Sequence, residues 1–394
     1  MRIALFVETY LPYINGVVTH IKVLKDGLTA LGHEVLIVTA DPHAKHHYIE
    51  DGVLHCPAHP LKQLYGYGLA KPISRVRMRY LKQFNPDVLH MHQEFSVGFF
   101  STMAAKKLNK PLVYTLHTMY DEYLFYVAPK PFVPAARKIS HQYTRHLAKR
   151  ASAVTSPSHK ADEYFKECRV KKKVEVIPNS IDYEAFDPAN TSPEKRQALR
   201  EKMGIREGDT ALIFLGRLGK EKSVDLLLDY LAEQFPDEDR LRLVVVGDGP
   251  ETDALKQQAK RLGLDHRVTF TGSVDHSEVP AYFSACDIYV SASLTEMMSI
   301  SMLEGMASGL PVVLRYDPLN ASQIEEGVNG YNYKTPEEMA SIIRNLMNLS
   351  QEEKDAMRVR VRESVRNAGA INLAKYMLKI YSRVTGIPVE EEKE

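Results

Sequence analysis

Two glutamates, Glu296 and Glu304, stand eight positions apart in the segment Thr295-Glu-Met-Met-Ser-Ile-Ser-Met-Leu-Glu-Gly-Met-Ala-Ser-Gly309. Ile300, Leu303 and Ala307 follow helical spacing and Gly309 is placed as a helix stop, so Glu296 precedes a short helix and Glu304 lies within it. A carboxylate in that position accepts two hydrogen bonds from a ribose diol. The backbone N–H groups that open the helix near Ser299 favour an anion. Either glutamate alone reads equally as a surface carboxylate; the pair beyond a strand end is harder to reach by accident. A second cluster is Gly216-Arg-Leu-Gly-Lys-Glu-Lys222. Arg217 and Lys222 suit a diphosphate, Arg with forked contacts and Lys as a point charge; the bland alternative is a solvated turn.

Three further places carry weaker signals. His117 follows a strand in Thr-Leu-His-Thr-Met-Tyr-Asp-Glu-Tyr123. The aromatic run after it, with Tyr120, Tyr123 and Tyr126, serves either as core or as a wall for an apolar or sugar-bearing acceptor. Gly16 opens a helix after Glu8-Thr-Tyr-Leu-Pro-Tyr-Ile-Asn15, where a glycine is either a plain turn or lets backbone approach a phosphate. Gly247-Asp-Gly249 begins like a dinucleotide fingerprint, but Thr252 stands where its third glycine belongs, which weighs against a nicotinamide enzyme.

Strands and helices alternate around these residues. Short apolar strands are expected at Arg2–Val7, Glu34–Ala40, Asp87–His92, Pro111–His117, Ala153–Ser156 and Val174–Ile177. A second series is expected at Ala211–Gly216, Leu241–Gly247, Arg267–Thr271, Ile288–Ser291 and Pro311–Leu314, separated by amphipathic helices. Two such series predict two doubly wound α/β domains with parallel sheets, and ligands beyond the carboxyl ends of the strands. The expected bounds are 1–185, 186–370 and a terminal helical segment 371–394.

The 394 residues carry 51 Lys and Arg against 50 Asp and Glu, a formal charge of +1 that excludes a polyanion-coating protein. The balance hides an asymmetry: residues 1–185 hold 25 basic and 16 acidic side chains, a net +9, and the remainder holds 26 and 34, a net −8. Three distant cysteines, Cys56, Cys168 and Cys286, form neither a disulfide framework nor a zinc spacing. The apolar run at Ile3 to Val7 is too short for a secretory leader, and no run has the length of a membrane span. The expected address is therefore cytoplasmic.

At the Glu296/Glu304 pair, Gly216-Arg217, Glu221-Lys222, Pro178-Asn-Ser-Ile-Asp182 and Asn15-Gly-Val17, the chain resembles the retaining glycosyltransferases of family 4 type, over essentially its whole length. The resemblance implies the GT-B fold, two Rossmann-like domains facing a central cleft, with a C-terminal helix returning to the first. It implies that Arg217 and Lys222 hold the donor diphosphate, with Gly16, Val17, Gly216, Gly247 and the Met298-Ser299-Ile300 backbone close by. Glu304 then holds the ribose, Glu296 touches the transferred sugar and His117 contacts it beside the reaction centre. Catalysis would fall to His117, Glu296, Arg217 and Lys222, and the acceptor to Tyr120, Asp121, Tyr123 and Tyr126. The opening loop and the His117 segment are similar to the bacterial diacylglycerol glucosyltransferases. That implies UDP-glucose as donor and a membrane lipid as acceptor.

No cofactor is expected, and no metal. Charge on the leaving diphosphate can be met by Arg217, Lys222 and helix N-termini, and Asp237-Glu-Asp239 sits before a strand, away from the expected site. The basic stretches Arg137–Arg150, Lys71–Lys82 and Lys171–Lys173 suit an anionic membrane surface at the inner face of the cell membrane, or equally a core helix with a charged outer face. No nucleic acid partner is expected. The alternatives are a soluble sugar or polysaccharide acceptor, or a catalytically silent nucleotide-sugar-binding protein.

Overall fold

The computed structural model describes residues 1–13, 15–61, 67–124 and 129–389. It divides into two compact units, residues 1–180 with 369–394, and residues 181–368. The chain therefore crosses at 180/181 and 368/369 rather than at 185 and 370, and Ile181 N–H donates to Ala368 O at 2.8 Å where the two ends of the second unit meet.

The first unit is built on β1 (Arg2–Val7), β2 (Glu34–Asp41), β3 (Tyr48–Glu50), β4 (Val53–Leu61), β5 (Tyr67–Ala70), β6 (Val88–Met91), β7 (Leu112–Thr115), β8 (Ala153–Ser156) and β9 (Val174–Val176). Their order is β3-β4-β2-β1-β6-β7-β8-β9, with β5 pairing β4. Among the described residues of this unit, only the β3–β4 and β4–β5 strand pairs are antiparallel. The central strands are buried on both faces, which is why they read as unbroken apolar runs rather than alternating ones. Sequence periodicity did not find β3, β4 or β5: β4 carries His55, Pro57, His59 and Pro60, which break the apolar signal.

Helix Gly16–Ala30 is capped by Asn15, whose Oδ1 accepts from Val17 and Val18 N–H at 3.0 and 3.1 Å. Its inner face meets helix Ala370–Thr385, which buries Leu373, Ala374, Met377, Leu378 and Tyr381 in this unit's core. The approach needs Gly27, since a Cβ there would lie 2.1 Å from Ala370 O.

The second unit carries β10 (Thr210–Leu215), β11 (Leu241–Val246), β12 (Val268–Gly272), β13 (Ile288–Ser291), β14 (Val312–Arg315) and β15 (Gly330–Tyr333). All pairs are parallel, in the order β12-β11-β10-β13-β14-β15. β15, Gly-Tyr-Asn-Tyr, lacked the apolar run that marks the others. Among the described residues, no helix is long and apolar enough to cross a membrane.

Candidate active site

In the second unit the strand-end loops are tied into one cluster. Gly216 N–H donates to Val246 O, and Leu218 N–H to Asp248 O, each at 3.0 Å, so the loops after β10 and β11 lie against one another. Glycine is required there: a Cβ on Gly247, at φ +132°, would fall 2.0 Å from Gly216 O, and one on Gly249 would fall 2.5 Å from Leu218 O. The Gly-Asp-Gly segment thus exists for loop-on-loop packing, which accounts for the missing third glycine of a dinucleotide site.

The same cluster takes in the loop after β13. The hydroxyls of Ser293 and Thr295 donate to Glu221 O at 3.1 and 3.2 Å. Lys222 pairs with the Glu296 carboxylate, and Arg217 with buried Glu221. Asn320 donates to Glu296 O at 2.6 Å and Gln323 to Met297 O at 3.2 Å, fixing the backbone of Glu296 and the residue after it. Ser299 caps the helix Ile300–Ala307, its Oγ accepting from Met302 N–H at 3.2 Å. Glu304 is buried, and its Oε1 lies 3.0 Å from His276 Nε2. Burial raises the Glu304 carboxyl above its usual range, opposed by His276. Arg217, Lys222, Gly216, Gly247, Glu296, Met298, Ser299 and Ile300 therefore lie on loops at the carboxyl ends of β10, β11 and β13 or at the helix start after them, and Glu304 lies in that helix. His276 escaped sequence reading, because nothing links it to Glu304 until the chain folds. Asp237 and Asp239 lie at the amino end of β11, where Asp239 O accepts from Arg206 and Arg242.

The first unit gathers a separate set at the ends of β1, β6 and β7. His117 Nε2 lies 3.0 Å from His92 Nδ1, and its ring meets that of His20 edge-on at 4.7 Å. His20 sits four residues beyond Gly16 on the same helix, so both share a face with the loop that opens it. Asn179, from the Pro178–Asp182 segment, places its Oδ1 3.0 Å from His20 Nδ1. Burial holds His92 and His117 well below the usual histidine range, and His20 at about 4, so all three are neutral at pH 7. Glu94, two residues past His92, accepts from the hydroxyls of Tyr114 and Tyr120. Burial drives its carboxyl up to about 7 against those two hydrogen bonds.

Asp121 places its Oδ2 2.7 Å from His141 Nε2 and 3.4 Å from Arg137 Nε. The Tyr123 backbone lies in the 3-10 turn Tyr120–Tyr123, and Tyr126 lies outside the described residues. Arg77 corrects the expected basic surface of 71–82. It is 1 % exposed, its guanidinium lies 4.6 Å over the Phe100 ring, and it donates to Lys71 O at 3.1 Å. Helix Val133–Arg150 is mixed: Leu147 is buried, whereas Ile139 and the preceding Phe132 are 67 % and 64 % exposed.

The family profile described as Glycosyltransferase Family 4 matches residues 14–185, and Glycosyl transferases group 1 matches residues 195–367. The alpha-monoglucosyldiacylglycerol synthase of Acholeplasma laidlawii is 34% identical over 362 residues, 89% of this chain and 88% of that protein. The GDP-mannose-dependent alpha-mannosyltransferase of Mycolicibacterium smegmatis is 29% identical, covering 79% of each. Among solved structures, Anabaena HepE in complex with UDP aligns with a TM-score of 0.73 at 21% identity, over 97% of this chain and 100% of that one. With two parallel-sheet α/β units, strand-end loops joined by Lys222–Glu296 and relatives of this extent, the chain belongs to the family 4 glycosyltransferases of GT-B fold and is a hexosyltransferase.

Proposed function

We propose that this enzyme moves glucose from UDP-glucose, with retention, to a diacylglycerol-type lipid at an anionic membrane surface. The observation that carries the donor half is the Lys222–Glu296 pair stitched to the Arg217–Glu221 loop. It sets a cation and a carboxylate side by side at strand ends, the arrangement that a diphosphate beside a sugar calls for. Arg217 and Lys222 take the charge that grows on the leaving diphosphate, and in the free enzyme Glu296 holds Lys222 in place for it. Glu304 takes the ribose hydroxyls, for which His276 stands in when no nucleotide is bound. His117 and Tyr120 serve the sugar and the acceptor. The leaving phosphate takes the acceptor proton, and no metal is assigned to the chemistry.

The lipid acceptor rests on the synthase from Acholeplasma laidlawii, named for monoglucosyldiacylglycerol. Exposed Ile139 on a basic helix, with exposed Phe132 just before it, gives the membrane half of the reading its physical basis. The mannosyltransferase relative makes GDP-mannose the competing donor. A screen of nucleotide release over UDP-glucose, UDP-galactose and GDP-mannose tests the donor. Fastest turnover is expected with UDP-glucose, and a preference for GDP-mannose overturns that assignment.

A further inference from the structure

The buried histidines near the strand ends of the first unit are of two kinds. His90 is saturated, with Nδ1 2.6 Å from Tyr381 Oη and Nε2 2.6 Å from Thr115 Oγ1, which is a structural role. His20 and His92 are not: His20 Nε2 and His92 Nε2 are buried without a hydrogen-bond partner among the described residues. Because Asn179 Oδ1 can only accept, His20 Nδ1 carries the hydrogen and Nε2 presents a bare lone pair. His92 Nδ1 and His117 Nε2 face each other at 3.0 Å. Whichever carries the hydrogen, His92 keeps an unmatched buried nitrogen at its other edge. Buried polar atoms left unpaired are unfavourable and rare, so two in one cluster call for an explanation.

The three rings also converge. Ligand nitrogens of His20, His92 and His117 lie within 4.8 Å of one another. Their ring centres are separated by 4.7 Å (His20–His117), 5.3 Å (His92–His117) and 5.5 Å (His20–His92). A tetrahedral ion binds imidazole nitrogen at about 2.0–2.1 Å, which puts ring centres about 3.2 Å from the metal and about 5.2 Å from each other. The observed triangle is that size. The Asn179 carbonyl on the far nitrogen of His20 is the kind of contact that fixes the tautomer of a metal-binding histidine. His117, half-buried where its partners are buried, leaves a side of the cluster open for a fourth ligand.

We infer that His20, His92 and His117 form a three-histidine site for a divalent transition-metal ion, Zn²⁺ by its neutral nitrogen donors and tetrahedral spacing. The ion regulates the enzyme rather than driving the transfer: with His117 Nε2 on the metal, it is lost to the donor sugar, so the ion inhibits. That second step rests on the proposed His117–sugar contact.

Calorimetry of the full, tag-free chain with Zn²⁺ tests the site, together with Co²⁺ absorption as a report of tetrahedral coordination. One ion per chain is expected, with an affinity reduced about 100-fold or more in His20→Asn and unchanged in His141→Asn. His141 belongs to a second grouping, with Asp121 and Glu167, that could also take up an ion. Absence of Zn²⁺ binding to wild type overturns the proposal without reference to any variant, and so does loss of binding in His141→Asn instead of His20→Asn. Zn²⁺ is expected to slow nucleotide release competitively with the donor, with recovery on chelation. Tight binding in the His20-dependent site without competition upholds the metal site and removes His117 from the sugar.

Discussion

Glu94 offers a measurement whose size follows from its surroundings. It is buried, accepts from Tyr114 and Tyr120, and its carboxyl stands at about 7 against an ordinary 4.5, chiefly through desolvation. The folded state therefore binds one more proton than the unfolded state between those two values. A group with this sign contributes most at low pH, and its contribution is lost as pH rises toward 7. Linkage gives a change of about 2 kcal/mol between about pH 5.5 and about pH 8. Glu94→Gln removes the titration while keeping the shape. The assay is urea unfolding followed by circular dichroism, for wild type and variant, at pH values across that range. The stability of wild type minus that of Glu94→Gln is expected to fall by about 2 kcal/mol from the acid to the alkaline end. Taking the difference cancels the neutral histidines His20, His90 and His92, which titrate in the opposite sense and destabilise wild type as pH drops below about 6.5. Glu8, itself raised by burial, is the neighbour whose coupling to Glu94 survives the subtraction. A difference that stays flat with pH, or rises, refutes a Glu94 held neutral by burial.

Lys222→Ala is expected to lower kcat/KM by about 100-fold or more, since it removes a cation from the leaving diphosphate, and unchanged kinetics would take Lys222 out of the site. Gly247→Ala is expected to destabilise the chain by about 1–3 kcal/mol, because the new Cβ meets Gly216 O; a wild-type melting curve would deny the loop-on-loop packing. Phe132→Ser/Ile139→Ser is expected to reduce sedimentation with anionic vesicles several-fold and to leave nucleotide release intact, and equal sedimentation would remove this helix from the membrane contact.

Much of the site was legible because strand ends can be read from sequence. Once Ile288–Ser291 and Thr210–Leu215 are recognised as buried strands, the residues that follow them are the ones parallel topology assigns to ligands, which singles out Arg217, Lys222 and Glu296. What sequence could not give was partnership across elements. Glu94 meets Tyr114 and Tyr120, twenty and twenty-six residues away, and His20 meets Asn179, more than 150 residues on, only once the chain folds. Arg77 looked like surface charge because its neighbours Arg75 and Arg79 are basic, yet helical spacing turns it inward over Phe100. The sequence does carry one such pairing: His90-Met-His92 at a strand end places both rings on one face by the two-residue period, and they stand 3.8 Å apart.

The central claim, that glucose goes from UDP to a lipid, is tested most directly by incubating the enzyme with UDP-[¹⁴C]glucose and anionic vesicles, with and without dioleoylglycerol, and measuring label in the lipid phase. Label that depends on dioleoylglycerol and is recovered as α-glucosyldiacylglycerol is expected. UDP release with no lipid-phase label, or label that moves only to added soluble sugars, would contradict it.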